Sequence, residues 1–141
     1  MSRRGFTLIE TATALFVLAA VVSLGTASFL ELLPKFRLQG AAWEVAAKLN
    51  EARLTALLRG TAVRWRAAGN GYVLEMRDPD DGSWKRLGGR RPPGVLLRAN
   101  NAPVFHPRGT VSNLATIVVE NSRGLYRITL AITGRVKVVK A

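Results

Sequence analysis

Between Thr11 and Leu30 the chain carries 20 residues without a charged side chain. That run constrains the fold more than any other feature. As an α-helix it measures about 30 Å, enough to cross the hydrocarbon core of a bilayer. Arg3 and Arg4 precede the run and no basic residue follows it until Lys35, an asymmetry that favours a cytoplasmic amino terminus. Glu10 is the odd residue, a carboxylate at the edge of an apolar helix. Such a group costs roughly 2.5–3.5 kcal/mol at mid-helix and somewhat less near a helix end, so it ordinarily has a partner or a task.

The chain has 141 residues, so about 100 remain after the apolar segment, enough for one small domain. There is no cysteine, which removes disulfides and thiol chemistry and leaves the redox compartment open. The single histidine, His106, leaves little room for a histidine-based metal site. The formal net charge is +12, and it is unevenly placed. From Ser83 to Ala141 there are 11 Lys and Arg against one acid, Glu120, whereas residues 34–82 are nearly balanced. A basic carboxy-terminal half fits an anionic partner, and it fits equally a solvated, arginine-rich surface.

Pro34 lacks a backbone donor and is expected to kink or briefly break the helix near Leu30 to Leu33. Beyond it, Leu38, Ala42, Val45, Leu49, Ala52 and Ala56 recur at alternating steps of four and three, the stripe of an amphipathic helix. Glu44 and Lys48 stand four apart in the favourable order, and Gly60 is placed to cap the helix. The period then changes to two. Val63 to Ala67 and Tyr72 to Arg77 alternate around Gly69-Asn70-Gly71, a hairpin signal. Asp78-Pro79-Asp80-Asp81-Gly82 reads as a turn, Ser83 to Leu87 as a strand and Gly88 to Gly94 as a loop. Val95–Arg98, Val104–His106, Ala115–Glu120, Leu125–Ile132 and Arg135–Val139 are the remaining strand candidates. In Leu125–Ile132, Tyr126, Ile128, Leu130 and Ile132 take one face and Arg127, Thr129 and Ala131 the other. The predicted class is α+β: a long helix, membrane-spanning in its first half and amphipathic in its second, packed on an antiparallel domain of seven to eight short strands.

Arg3-Arg4-Gly5-Phe6-Thr7-Leu8-Ile9-Glu10 ahead of the apolar run resembles the class III signal of type IV prepilins and type II secretion pseudopilins. An ordinary secretory signal has a shorter apolar core, and a plain single-span anchor leaves Glu10 unexplained. The resemblance implies cleavage by prepilin peptidase between Gly5 and Phe6, N-methylation of Phe6, and Glu10 as the residue that guides assembly. It also implies a single-pass protein of the bacterial inner membrane with its carboxy-terminal domain in the periplasm.

A narrower likeness covers the second half. Pro34-x-Phe36, Leu49-x-x-Ala52-Arg53-x-x-Ala56-x-x-Arg59-Gly60-x-x-Val63, Phe105-x-Pro107-x-Gly109 and Gly134-Arg135-Val136 resemble the signature of H-type (GspH/FimT) minor pseudopilins and minor pilins. The implied fold is pilin-like. The implied division is a leader at 1–5, a transmembrane and assembly helix at 6–33, an amphipathic helix at 34–60 and a β domain at 61–141. The implied function is a filament subunit of a type II secretion system or type IV pilus, with other pseudopilins or pilins as partners.

Nothing in the sequence points to an enzyme. No triad order, paired carboxylates, phosphate loop or metal-ligand spacing is visible, and no cofactor is expected. Asp78, Asp80 and Asp81 before Gly82 lack the distal glutamate of a calcium loop, so a tight turn is the expectation. Arg135 and Lys137 on one strand would project from one face about 7 Å apart, close to the spacing of phosphates along a nucleic-acid strand, with Arg127 on the preceding strand. Members of the FimT group in DNA-uptake pili bind DNA through such an edge, so the resemblance leaves a DNA-binding minor pilin as the alternative. The other reading is a charged edge strand that resists aggregation.

Overall fold

The structure, a computed structural model, describes residues 7–141, apart from the side chains of Ala27 and Ser28. The chain divides into two compact units, Met1–Leu33 and Pro34–Ala141. One helix, α1 (Leu8–Arg59), belongs to both, and nine strands follow: β1 (Val63–Ala68), β2 (Gly71–Arg77), β3 (Trp84–Arg90), β4 (Leu96–Ala99), β5 (Val104–Phe105), β6 (Val111–Ser112), β7 (Thr116–Asn121), β8 (Gly124–Leu130) and β9 (Val136–Lys140). The helical assignment runs through Pro34 without the expected break. Gly60 ends the helix in the left-handed conformation, φ 63°, as its position predicts.

In the first unit the hydroxyls of Thr11, Ser23 and Thr26 are satisfied within the helix. Ser23 Oγ donates to the Ala19 carbonyl at 2.7 Å, Thr26 Oγ1 to Ser23 at 3.0 Å and Thr11 Oγ1 to Thr7 at 3.2 Å. Back-bonding of this kind lets Ser and Thr enter an apolar surround without an outside partner.

In the second unit the predicted stripe forms the centre of the core. Leu38, Ala42, Val45, Leu49, Ala52 and Ala56 are all buried, joined by Ala41 and Ala46. The strands form two antiparallel sheets, in the orders β3-β2-β1-β5-β6 and β4-β7-β8-β9. A single cluster unites the helix stripe with Val63, Trp65, Tyr72 and Phe105 of the first sheet and Leu97, Ile117, Val119 and Ile128 of the second. Trp65 and Tyr72 stack with ring centroids 5.8 Å apart. Alanine at half of the stripe positions leaves room for the aromatic side chains at van der Waals distance.

Several local expectations are corrected. The β1–β2 hairpin turns on the first two residues of the expected Gly69-Asn70-Gly71 turn, with Ala68 opposite Gly71 and Gly69 at φ 58°. Gly71 is instead needed inside β2, because a Cβ there would lie 2.4 Å from the Arg90 carbonyl oxygen. The segment 88–90 is not a loop but the end of β3, paired with β2 across a register shift between Leu74 and Glu75; the extra residue, Leu87, makes a bulge. β6 is a two-residue strand absent from the sequence expectation. Ile132 does not share the buried face of β8: the strand ends at Leu130, and a turn closed by Ala131 N to Arg135 O at 2.9 Å leaves Ile132 63% exposed. Glu44 does not pair with Lys48. It accepts the Tyr72 hydroxyl at 2.7 Å and lies 3.4 Å from Arg90, while Lys48 pairs with Glu51. Burial and the Glu44 carboxylate together raise the Tyr72 pKa well above its ordinary value.

On the outer face of the first sheet one carboxylate gathers two arginines. Glu75, buried on β2, accepts from Arg64 Nε at 2.8 Å and from Arg66 at 3.2 Å, and Arg64 lies over the Trp84 ring at 4.3 Å. Burial pushes the Glu75 carboxyl up, but the hydrogen bonds and charges of Arg66 and Arg64 outweigh it and hold the pKa below the ordinary carboxylate value. A depressed carboxyl contributes stability that is present above the unfolded pKa and is lost as pH falls through the folded one. The full chain in detergent is therefore expected to melt at falling temperature as pH drops through and below the ordinary carboxylate range. Glu75→Gln should lower stability by about 1–3 kcal/mol at pH 7 and flatten the acid limb, both read from thermal melts against pH.

Candidate assembly and binding surfaces

Gly5 and Phe6, the expected cleavage and methylation positions, lie outside the described residues. Glu10 is placed in the first turn of α1. Its Oε2 accepts from the Thr7 backbone N–H and from Thr7 Oγ1, each at 2.9 Å, and the Glu10 N–H in turn donates to Thr7 Oγ1 at 3.3 Å. This reciprocal pattern is a capping box: Thr7 is the N-cap and Glu10 the residue three positions on. The sequence T-x-x-E carried the signal. In the single chain the carboxylate is thus occupied by the helix's own orphan donors and remains exposed to a partner.

A second surface was not foreseen. Phe36, Trp43, Leu54 and Leu58 follow one another at steps of seven, eleven and four, which are whole numbers of helical turns to within a fraction of a residue. Phe36 precedes Leu38 by two residues, about 200° around the helix, so this stripe runs along the side opposite the core. Its members are exposed, Trp43 by 58% and Leu58 by 84%. The segment 36–58 is therefore apolar on two sides, one buried by the sheets and one open.

Arg127, on β8, is exposed and stands opposite Val139 of β9, while Lys137 stands opposite Thr129. Arg127 and Lys137 are thus diagonal neighbours on the outer face, about 7–8 Å apart at their backbones. Arg135 is exposed but precedes β9, at the base of the turn closed on Ala131. Arg98 on β4 faces the same side through Val118 and pairs with Glu120 at 3.5 Å. Among the described residues no carboxylate pairs with Arg127, Arg135 or Lys137.

Two motifs that lie far apart in sequence meet in space. A Cβ on Gly134, which has φ 80°, would lie 2.8 Å from Nε of Arg53. Only glycine leaves that space and adopts that backbone without strain, so the Arg53 side chain is seated on the β8–β9 turn. Elsewhere the acidic run is a turn. Asp78 pairs with Lys85 and accepts from the Asp80 N–H, and Asp81 accepts from the Ser83 N–H at 2.8 Å. His106 contacts Ser112 Oγ at 2.8 Å. Among the described residues no group of three or more His, Cys, Asp and Glu could hold a metal ion.

A long amino-terminal helix whose second half is buried by antiparallel sheets defines the class of pilin-like subunits. The profile of the family described as "Type II transport protein GspH" matches residues 41–134, two thirds of the chain. The chain belongs to that family, the GspH-type minor pseudopilins. No curated protein sequence matches it. Among solved structures, the minor pseudopilin EpsH from the type 2 secretion system of Vibrio cholerae superposes with a TM-score of 0.63 at 14% identity, covering 74% of this chain and 97% of that one. The type IV minor pilin FimU of Pseudomonas aeruginosa gives 0.59 at 20% identity, covering 74% of this chain and 90% of that one. These likenesses concern the fold. The family consists of structural pseudopilins that assemble with other pilins into filaments, not of enzymes.

Proposed function

We propose that the chain is made as a prepilin, cut by prepilin peptidase between Gly5 and Phe6, methylated at Phe6, and drawn from the bacterial inner membrane into a filament by its helix. In this reading residues 1–5 are the leader, 6–33 the membrane and assembly helix, 34–60 the amphipathic helix and 61–141 a periplasmic β domain. The observation that carries the reading is the pair of opposed apolar stripes on residues 36–58. A helix half already buried by its own sheets has no use for a second apolar side as an isolated subunit, and helices of sibling subunits are the surface that would cover it. The exposed Glu10 supplies the second contact. Removal of the leader leaves a positive amine at Phe6, and a neighbour's Glu10 pairs with it in lipid, which relieves two desolvated charges at once.

Glu10→Gln separates the two roles of this side chain, because glutamine preserves the capping box while removing the charge. Mass spectrometry of membranes from cells with an active prepilin peptidase should show both wild type and Glu10→Gln beginning at methylated Phe6. Co-purification with sibling subunits should be lost in the variant alone. An intact Met1 in the wild type would contradict the processing step, and normal incorporation of Glu10→Gln would contradict the charge-pairing step.

The unpaired cations on the outer face of β8 and β9 favour one further reading, a DNA-binding minor pilin of a DNA-uptake pilus. Contacts from Arg127, Arg135 and Lys137 would go to phosphates, without base preference and with affinity falling steeply as salt rises. Replacing Arg127 and Lys137 by glutamine should reduce the slope of log affinity against log salt by about two. Absence of any duplex binding by the detergent-solubilised full chain at low salt would leave the structural role alone.

A further inference from the structure

Around the start of the second unit lies an open cleft of about 740 Å³ whose lining includes Pro34, Arg37, Arg91, Glu120, Asn121 and Ser122. It is built by contacts within that unit. Asn121 Nδ2 donates to the Pro34 carbonyl at 2.8 Å, tying the β7–β8 turn to the helix. Arg37 lies across Gly94, where a Cβ would meet its Cδ at 3.5 Å and a guanidinium nitrogen at 3.6 Å. Arg37 and Arg91 are exposed, as are Lys35 beside Pro34 and Arg123 in the turn. Glu120, the one carboxylate among the lining residues, is taken by Arg98 at 3.5 Å. Among the described residues none of Lys35, Arg37, Arg91 and Arg123 is paired with an acid.

Chain length limits where this cleft can lie. Arg37 follows Leu30, the end of the charge-free run, by seven residues of α1, which is about 10 Å of helix. The headgroup layer on each side of the hydrocarbon core is about 5–7 Å thick. Where the run spans the bilayer, seven residues of chain keep Arg37, and the cleft it lines, within reach of the headgroups. We propose that this cleft is a docking surface for anionic phospholipid headgroups, with the guanidinium groups of Arg37 and Arg91 receiving the phosphodiester and Lys35 and Arg123 adding to the local field. Planar guanidinium groups offer paired donors to phosphate oxygens, and each cation near an anionic surface raises occupancy about fivefold. The inference rests on the membrane anchor proposed above. It adds that the folded unit leans on the membrane before it is drawn into a filament, and leaves it as the headgroup contacts break.

The chain has no cysteine, so Ala141→Cys, exposed outside the cleft and hydrogen-bonded to Leu125 beside the β7–β8 turn, accepts a single spin label. The full chain is placed in nanodiscs of phosphatidylcholine alone or with phosphatidylglycerol, each carrying a trace of headgroup-chelated nickel that relaxes a nearby label. Phosphatidylglycerol should increase the docked population. Arg37→Gln with Arg91→Gln should lower the docking constant about 25-fold, two fivefold steps, and Arg37→Lys with Arg91→Lys should restore most of it. Equal relaxation in both lipids, or no effect of the glutamine pair, overturns the proposal while the anchor stands. Failure of the chain to remain with the nanodisc removes the anchor and the proposal together. Docking that responds to duplex DNA in phosphatidylcholine discs and not to phosphatidylglycerol would reassign the cations to nucleic acid and overturn the lipid assignment.

Discussion

The burial of residues 38–56 of the helix against both sheets is the contact on which the rest of the second unit depends. Leu49, Val45 and the alanines at 42, 52 and 56 are almost wholly withdrawn from water, and the first sheet and the second sheet share a core through them. Each sheet alone would leave its apolar face open to water, which neither a stable nor a soluble sheet tolerates. The alanines set how close the helix can come, and the aromatic pair Trp65 and Tyr72 fills the space they leave.

Charge is distributed by the same logic. Where arginines face outward from the first sheet, Glu75 gathers two of them. The second sheet has only Glu120 to offer, and the cations of β8 and β9 stay unpaired. Those cations and the arginines of the cleft at Pro34 therefore remain available to outside anions. The long-range ties, Asn121 to Pro34 and Arg53 against Gly134, attach the turns of the second sheet to the two flanks of the helix.

The helix and its inner stripe were legible from spacing alone, because a period of 3.6 leaves few other arrangements. The β1–β2 hairpin was legible too, although glycine at 69 and glycine at 71 do different work, one turning the chain and one admitting the Arg90 carbonyl. The end of β3 was hidden because Gly88 and Gly89 read as loop residues, whereas pairing with β2 across the bulge keeps them in the sheet. β6 was hidden because two residues carry no period at all. The partner of Glu44 was set by tertiary contact with Tyr72, which overrode the local pairing with Lys48. The outer stripe was legible in principle, but a strip with one residue per two or three turns is sparse beside the denser inner one. Glu10 was marked by its oddity beside an apolar run, and the spacing T-x-x-E already carried its reciprocal capping with Thr7.

We propose that one helix is shared between two kinds of packing, its inner side within the subunit and its outer side between subunits. Site-specific cross-linking in assembled filaments tests it most directly, using single cysteines in a chain that otherwise has none. Cysteine at Trp43, Leu54 or Leu58 should cross-link to sibling subunits, while cysteine at Arg86, exposed on β3, should not. Filaments that form normally with the outer stripe uncross-linked, and with links arising from β3 instead, would contradict the account.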